Sequence, residues 1–493
     1  MDQAKIDHQP TAIELDRGGD AIDRPSLLLC MVLTAMAGGM GWGIRGQYGH
    51  ETGAMIAGVL VGLVLVFLFC YRTTSLTAAR AVALCALGIS LGGSMTYGQT
   101  VGLTHDAELI GNFDALRWGL LGLFLKGGIW IAFAAALLGM GLSHRKYGPL
   151  EVALLLVTMV FLLFLGVYLL NTPFDPGHRS LPRFYFSDAW YWEPDGDLTP
   201  RRERWGGLLA ALIGLVIYVR AFRSDRLAFR LALWGFVAGG IGFSFGQCLQ
   251  AFHAWNVEAF RESWFAEMDS HINWWNMMET TFGAVFGAIL ALGLWLNRHL
   301  IGVDRKPDAV GLNLSTEWLL VVVHVGALTA WNFVSFSFFG DFADLAITMA
   351  IIPLVAVVAG RGWPYLMILP ITALPIAGKT LRQLSFQEHQ LPVTAGVFLY
   401  VILPLCITTA AALAFSRHAT KPDSARPFTR WALPLCVWLY FGLNYAFFRF
   451  PWPWQDWTSR TPNGLIFFVC AVSLTAASLL YGRRAQGAED WVG

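Results

Sequence analysis

Long apolar runs, separated by short polar segments, recur along the whole chain. A run of about twenty apolar residues is long enough to cross the hydrocarbon core as a helix, and a helix satisfies its own backbone hydrogen bonds there. The pattern therefore predicts an all-α fold, that of a polytopic integral membrane protein with about 14 transmembrane helices. The predicted spans cover residues 26–46, 52–71, 79–101, 117–142, 149–170, 205–222, 227–252, 275–296, 317–338, 342–360, 363–382, 393–415, 430–448 and 463–482.

The composition of the chain supports a membrane environment. Of the 493 residues, 56% are hydrophobic and 14% are charged, whereas soluble domains carry about 25% charged residues. The surplus apolar surface needs lipid, so the lipid bilayer is the expected partner. The formal net charge is only +1, which gives no field that would attract nucleic acid, and we expect no nucleic-acid partner.

Basic residues mark one set of alternating loops, those that follow the even-numbered spans. Because cytoplasmic loops retain lysine and arginine, this asymmetry predicts an even number of spans with both termini in the cytoplasm, in the cell (inner) membrane. The basic residues of these loops are Arg72, Arg80, Arg145, Lys146, Arg220, Arg223, Arg226, Arg230, Arg298, Arg305, Lys306, Arg361, Arg417, Lys421, Arg426, Arg430, Arg483 and Arg484.

The same pattern suggests how the chain is divided. Residues 1–25 form a polar, cytoplasmic N-terminal tail, and residues 483–493 form a cytoplasmic C-terminal tail. Between them we expect a first membrane bundle of about six spans over 26–222 and a second of about eight spans over 223–482.

Spans one and two resemble spans seven and eight. The segment AGGMGWGIRGQ at 37–47 aligns with AGGIGFSFGQ at 238–247, and each precedes a span that carries Glu-Thr followed by Gly-Ala. An offset of six spans indicates a parallel internal repeat, an arrangement found in secondary transporters. The alternative is chance, because Gly and Ala recur wherever membrane helices pack closely.

The segment GWGIRGQYGHETGA, residues 41–54, joins the first two spans. Its glycines match the letters of the dinucleotide motif GxGxxG. That interpretation fails because the preceding run is a membrane span and no acidic residue stands about twenty positions later. The glycines instead favour a loosened helix end, which gathers Arg45, Gln47, His50 and Glu51 at the outer face.

Further polar side chains map to the same outer side. Ionisable groups at membrane depth are costly and usually face a polar cavity or pair with one another, so their convergence predicts one substrate-binding site. Each residue taken alone has a simpler interpretation as a helix cap or an interfacial anchor. The residues that join those of the 41–54 segment are Gln99, His105 and Asp106 after span three, Lys126 within span four, Gln247, Gln250 and His253 after span seven, and Asn276 and Glu279 at the start of span eight.

Lys126 stands about ten residues into the fourth predicted span, within LFLKGGIW. A lysine near mid-depth would have to extend across half of the bilayer to reach water, so an internal partner is expected. Glu51 or Glu279 is the predicted partner.

Two functions are compatible with these residues. The first is a secondary transporter for a polar organic solute, with a carbohydrate as the favoured class because Trp-rich outer segments stand beside Asp, Gln, Asn and Arg. The alternative is a membrane-embedded enzyme with an outward-facing active site, such as a glycosyltransferase or acyltransferase that uses a lipid-linked donor, in which a histidine acts as general base. The sequence singles out no catalytic residue, and we expect neither a cofactor nor a bound metal.

Overall fold

Helices make up the regular structure of the chain. The computed structural model describes residues 25–70, 73–95, 97–187, 190–193, 199–302, 310–333, 351–448 and 456–489, and these residues form helices and no strand. The helices are α1 (Leu27–Arg45), α2 (Glu51–Phe69), α3 (Ser75–Gly92), α4 (Gly98–His105), α5 (Phe113–Leu142), α6 (Pro149–Leu170), α7 (Trp205–Phe222), α8 (Arg226–Trp255), α9 (Val257–Arg261), α10 (Ala266–Ser270), α11 (Trp274–Asn297), α12 (Leu314–Phe333), α13 (Ile352–Ala359), α14 (Trp363–Gln387), α15 (Val393–Ser416), α16 (Ala425–Phe448) and α17 (Thr461–Glu489).

Short polar side chains fix where several of these helices begin. Asn112, Asp225 and Asn273 each precede a helix and accept a hydrogen bond from a backbone N–H of its first turn. Such a cap satisfies a donor that has no partner within the helix and contributes about 1 kcal/mol. The three caps define the starts of α5, α8 and α11.

Twelve helices of the described part of the chain are long and apolar enough to cross a membrane, namely α1, α2, α3, α5, α6, α7, α8, α11, α14, α15, α16 and α17. Helices α6 and α15 leave most of their apolar surface exposed, as helices that face lipid do. The predicted all-α polytopic membrane fold is confirmed, and the helices contact the lipid bilayer.

Two predicted spans, 317–338 and 342–360, fall partly on residues 334–350, which lie outside the described residues. Their described portions are α12 and α13. Most of the predicted N-terminal tail lies outside the described residues as well.

The third predicted span is wrong in one respect, because residues 79–101 do not form a single helix. Helix α3 ends at Gly92, and α4 begins only at Gly98. The interruption packs against the turn between α1 and α2, where a Cβ on Gly93 would come within 2.4 Å of the His50 carbonyl oxygen. The glycine therefore lets two turns of backbone touch inside the bundle.

Glycines also bring the central helices together backbone to backbone. A Cβ on Gly38 of α1 would lie 2.2 Å from the carbonyl oxygen of Gly283 in α11, and one on Gly239 of α8 would lie 2.0 Å from that of Gly127 in α5. Small residues allow such close approach between membrane helices. Both contacts cross residue 222, and the proposed division into two bundles at that point stays a prediction.

The matched segments of the proposed repeat make one similar contact. Gly41 of α1 lies against Ala57 of α2, and Gly242 of α8, its counterpart in the alignment, lies against Phe282 of α11. Each glycine therefore faces the helix that holds the Glu-Thr pair of its own copy. The repeat itself stays a prediction.

Candidate functional site

A buried ion pair links the end of α1 to the second turn of α11. Arg45 Nη2 lies 3.1 Å from Glu279 Oε1 and donates to the Tyr97 hydroxyl oxygen at 2.5 Å. The Tyr97 hydroxyl donates to the same Glu279 oxygen at 3.4 Å. Asn276 Nδ2 donates to Glu279 Oε2 at 3.4 Å and to the Gly43 carbonyl oxygen at 2.7 Å. We call Arg45, Tyr97, Asn276 and Glu279 the central cluster, and all four side chains are buried.

Aromatic rings surround the guanidinium of the central cluster. The Arg45 Cζ atom lies 4.6 Å from the ring centroid of Trp42 and 5.4 Å from that of Trp130. Phe243 packs against the Tyr97 ring at 5.2 Å. Faces of aromatic rings attract cations, by about 2 kcal/mol or more where water is excluded. The ring faces therefore stabilise a charge that the apolar surroundings would otherwise penalise.

The central cluster lies well inside the bundle. Helix α5 has 30 residues, which is about 45 Å of helix at a rise of about 1.5 Å per residue. Trp130 is therefore about 25 Å from the start of α5 and about 18 Å from its end. Trp130, and Arg45 beside it, therefore lie away from both ends of α5.

Four helix ends meet around the cluster. Helix α1 ends at Arg45, α2 begins at Glu51, α3 ends at Gly92 and α4 begins at Gly98, and Gly92 packs directly on Trp130. Within a membrane, interrupted backbone is tolerated only where it is buried in protein or lines a water-filled cavity. The peptide groups at these ends also carry partial charges, which act on any polar molecule bound there.

His50, Glu51 and Lys379 lie at the edge of the central cluster. The Glu51 carboxylate is within electrostatic range of both Arg45 and Lys379, and the His50 ring packs edge-on against Tyr97 with centroids 4.9 Å apart. Burial among these groups, followed by the charges of Arg45 and Lys379, lowers the pKa of His50 to about 4. His50 as a whole is an exposed residue, so water screens much of this effect.

Lys126 has a different partner from the one predicted. Its Nζ atom donates to Glu203 Oε1 at 2.6 Å and to Thr100 Oγ1 at 2.7 Å, with all three residues buried. The expectation of Glu51 or Glu279 was therefore wrong. Glu203 lies in the loop between α6 and α7, and its carboxylate also accepts hydrogen bonds from the Phe186 backbone N–H and the Ser187 hydroxyl. The requirement for an internal counter-charge was met from a loop and not from a neighbouring span.

Three glutamines of the predicted site are buried to different extents. Gln47 is half-buried in the turn between α1 and α2. Gln247 is buried in α8 and donates to Thr104 Oγ1 at 2.6 Å. The side-chain oxygens of Gln247 and Gln250 are both buried without a hydrogen-bond partner among the described residues. A buried acceptor of this kind costs about 1–3 kcal/mol, so these two oxygens are candidates for contact with a bound polar molecule.

The remaining predicted site residues lie beyond the central cluster, toward the ends of α4 and α8. Gln99 joins the loop before α7, donating to the Thr199 carbonyl oxygen at 3.1 Å and accepting from the Arg201 backbone N–H at 3.2 Å. His105 Nδ1 lies 3.0 Å from the Val101 carbonyl oxygen. None of these contacts connects Gln99 or His105 to Arg45.

A histidine–aspartate pair lies in the same outer region. His253 Nε2 is 2.9 Å from Asp269 Oδ1, and the His253 ring stacks on Trp274 with centroids 4.3 Å apart. The Trp274 indole N–H donates to the same Asp269 oxygen at 2.8 Å. Asp106, the last of the predicted site residues, stands 3.5 Å from His105 Nδ1. This second polar group is separate from the ion pair of the central cluster.

Sequence reasoning missed three features of the site. Tyr97 was outside the predicted binding set although it bridges the buried ion pair, and Glu203 was not considered as a partner for Lys126. The letters GFSFG at 242–246 match the hydrolase pattern GxSxG and were overlooked. They lie inside α8, where the Ser244 hydroxyl donates to the Leu120 carbonyl oxygen at 3.1 Å, so they do not form the strand-to-helix turn that exposes a nucleophile.

The chain is thus an α-helical, multi-pass integral membrane protein with a buried polar cluster among its helices. No protein-family model, curated protein or solved structure matches it.

Proposed function

We propose that the protein is a secondary transporter for a polar organic solute, with the central cluster as its binding site and both termini on the cytoplasmic side of the cell (inner) membrane. The observation that carries the proposal is the buried Arg45–Glu279 pair, which lies where the turn between α1 and α2 meets the break between α3 and α4. Secondary transporters place their substrate sites near the middle of the bilayer, where discontinuous helices leave peptide groups available to the solute.

The chemistry of the central cluster favours a neutral, hydroxyl-rich solute. Arg45 and Glu279 neutralise each other, so a solute with a strong net charge gains no counter-charge. The Trp42 indole N–H and the Arg45 Nε–H are buried donors without partners among the described residues. Outside the central cluster, on α8, Gln247 and Gln250 have buried side-chain oxygens without partners among the described residues. Ring faces at Trp42 and Trp130 suit the CH faces of a sugar or polyol. A carbohydrate is therefore the first class of solute to test.

Uptake by reconstituted protein tests this proposal. Proteoliposomes would be supplied in turn with radiolabelled monosaccharides, disaccharides and polyols, and the wild-type protein is expected to accumulate at least one of them. Glu279→Gln and Arg45→Lys each remove or misplace a charge-assisted hydrogen bond worth about 1.5–3 kcal/mol, so we expect uptake to fall by about tenfold or more.

The matched control is an exposed ion pair in the same chain. Asp114 and Arg117 lie 3.6 Å apart at the start of α5, and their side chains are 83% and 77% exposed. Asp114→Asn and Arg117→Lys are expected to leave uptake unchanged. Wild-type uptake that persists in a correctly folded Glu279→Gln variant would remove the central cluster from the transport path.

A membrane-embedded enzyme is the second candidate, and the His253–Asp269 pair favours it. A carboxylate 2.9 Å from a histidine ring can support the imidazole as a general base, and Trp274 offers a stacking surface beside it. The test is transfer of a labelled sugar from a lipid-linked donor by purified protein. His253→Gln is expected to abolish such transfer and to leave solute uptake intact, so the two candidate functions are separable.

A further inference from the structure

Helices α4, α8 and α11 meet beside the central cluster, at the end of the bundle where α8 ends and α11 begins. Trp275 stands four residues before Glu279 in α11, so the two side chains lie on one face of the helix, one turn apart. Trp275 is 36% exposed, whereas Glu279 is 3% exposed. About 6 Å of helix therefore separates a residue at the surface from the buried ion pair.

The edge of this region at Trp275 is polar. The Trp275 ring lies against the His105 ring at the end of α4, with centroids 5.9 Å apart. His105 Nδ1 is 3.5 Å from Asp106 Oδ1, and the side chains of both residues are partly exposed. Ionisable groups that face lipid are costly, so this edge is suited to water and not to lipid.

Two glutamines of α8 line the same region. Gln247 Nε2 donates to Thr104 Oγ1 at 2.6 Å, which holds this face of α8 against the last turn of α4. Gln250 lies one turn further along the same face of the helix. Phe243, one turn before Gln247, packs against Tyr97 of the central cluster with ring centroids 5.2 Å apart. The glutamines therefore continue from the central cluster toward the end of α4.

Each of these glutamines holds a buried acceptor. Gln247 is 0% exposed and Gln250 is 5% exposed, and neither side-chain oxygen has a hydrogen-bond partner among the described residues. A polar atom buried in this state costs about 1–3 kcal/mol. Water or a hydroxyl group can donate to such an oxygen, whereas an ionised carboxylate cannot. The two acceptors are therefore matched to a neutral, hydroxyl-bearing molecule.

Another face of α8 is apolar. Ile241, Phe245 and Phe252 are all exposed, Phe245 by 60%. They stand four and seven residues apart, which places them on one stripe of the helix, and an exposed apolar stripe on a membrane helix is suited to lipid. Helix α8 therefore turns one face to lipid and carries its two unpartnered acceptors on another.

We propose that a solute reaches the central cluster from outside the cell between α4, α8 and α11, where the Trp275 ring closes the path and Gln247 and Gln250 accept hydrogen bonds from the hydroxyl groups of the solute. The inference rests on the proposed transport function and adds to it the route and its two acceptors. The Trp275 ring offers a face for the CH groups of a sugar or polyol at the mouth of the path. Opening of the path relieves the cost of the two buried oxygens, because water then donates to both.

Labelling of introduced cysteines by a negatively charged, membrane-impermeant methanethiosulfonate tests the path. The reagent is added outside intact cells that express the full chain with Cys248→Ser and Cys406→Ser, which removes the two exposed cysteines. Gln250→Cys is the test variant, and Phe245→Cys is the matched control on the exposed apolar face of the same helix. A thiol reacts as its thiolate and is inert in apolar surroundings, so we expect Gln250→Cys to react at least about tenfold faster than Phe245→Cys.

A second substitution tests whether Trp275 closes the path. Trp275→Ala removes the ring and is expected to accelerate the labelling of Gln250→Cys further, whereas Trp275→Phe retains a ring and should leave the rate unchanged. The native Cys85 thiol, buried in α3, reports unfolding, and its labelling should stay at the wild-type level in every variant.

The outcomes separate the path from the transport function. Equal labelling of Gln250→Cys and Phe245→Cys in a protein that takes up a sugar would overturn the path and leave the proposed function standing. Labelling of Gln250→Cys that Trp275→Ala does not accelerate would overturn the role of Trp275. Labelling does not require transport, so the expected rates in a protein that takes up none of the labelled sugars would support the path and contradict the proposed function.

Discussion

The Lys126 ammonium and the Glu203 carboxylate form a buried ion pair 2.6 Å long, although Lys126 belongs to a membrane helix and Glu203 to the loop before α7. Both side chains are almost completely shielded from solvent. The pair therefore ties the α6–α7 loop to the interior of the bundle by charge.

Removing one member of this pair should be far more harmful than removing both. Lys126→Met leaves Glu203 as an uncompensated buried charge, and we expect a loss of about 3–5 kcal/mol of stability. The double variant Lys126→Met with Glu203→Gln should recover most of that loss. Lys146→Ala, at an exposed position, should change stability by about 0.5 kcal/mol or less. Thermal unfolding in detergent measures all three, and equal tolerance of Lys126→Met and Lys146→Ala would contradict the buried pair.

Gly93 should not accept a side chain. An added Cβ would meet the His50 carbonyl oxygen at 2.4 Å, and backbone cannot yield as a flexible side chain does, so Gly93→Ala is expected to cost about 1–3 kcal/mol. Gly98, five residues along the chain, has no atom within 4 Å of its Cβ position among the described residues. Gly98→Ala is the matched control and should retain wild-type stability. A Gly93→Ala protein as stable as wild type would mean that the two turns do not touch.

The substitution Gln250→Met should reduce solute uptake without lowering the stability of the protein. Its side-chain oxygen is buried without a partner among the described residues, so Gln250→Met removes an unsatisfied acceptor at nearly constant volume and should leave the unfolding temperature unchanged or higher. If the oxygen contacts the solute, the same substitution should reduce uptake by about tenfold. A parallel loss of stability and uptake would instead identify Gln250 as a structural residue.

His50 should make stability depend on pH in a defined direction. Its pKa is lowered to about 4 in the folded protein, against about 6.5 in an unfolded chain. Between these values the unfolded state binds more protons, so stability rises with pH. The contribution of His50 is complete above about pH 6.5 and is lost as the pH falls toward 4. Unfolding followed from pH 4 to 8 should show a shallower slope for His50→Gln than for His389→Gln, which alters a second exposed histidine, between α14 and α15; identical slopes would exclude His50 as the source.

Much of the fold follows from hydropathy alone, because the cost of unpaired backbone in lipid leaves few alternatives to a spanning helix. The break between Gly92 and Gly98 did not follow from it. Residues 79–101 are apolar enough to predict one span, and the structure shows instead that the chain breaks where Gly93 packs against the turn between α1 and α2. Hydropathy reports how favourable it is to bury a segment. It does not report which other segment of the chain will pack against a given glycine.

The part of the candidate site that follows from the free-energy cost of burying an unpaired charge was predictable from the sequence. That cost brings Arg45 and Glu279 together across 234 positions of the chain, as the sequence indicates. The same principle required a partner for Lys126 but did not identify it, because Glu203 lies in a segment whose position in space is set by tertiary contacts of Phe186 and Ser187. The sequence places Tyr97 on the same outer side as the predicted site, but it contains no information that would put the Tyr97 hydroxyl between the two charges.

The Glu203 carboxylate attaches the loop before α7 to the Lys126 ammonium inside α5. The attraction between apolar surfaces falls off gradually as they separate. Moving the Glu203 carboxylate away, in contrast, would leave the Lys126 ammonium without this counter-charge at a position where water does not reach it. Separating the two charges would therefore require that water or a proton reach the pair first.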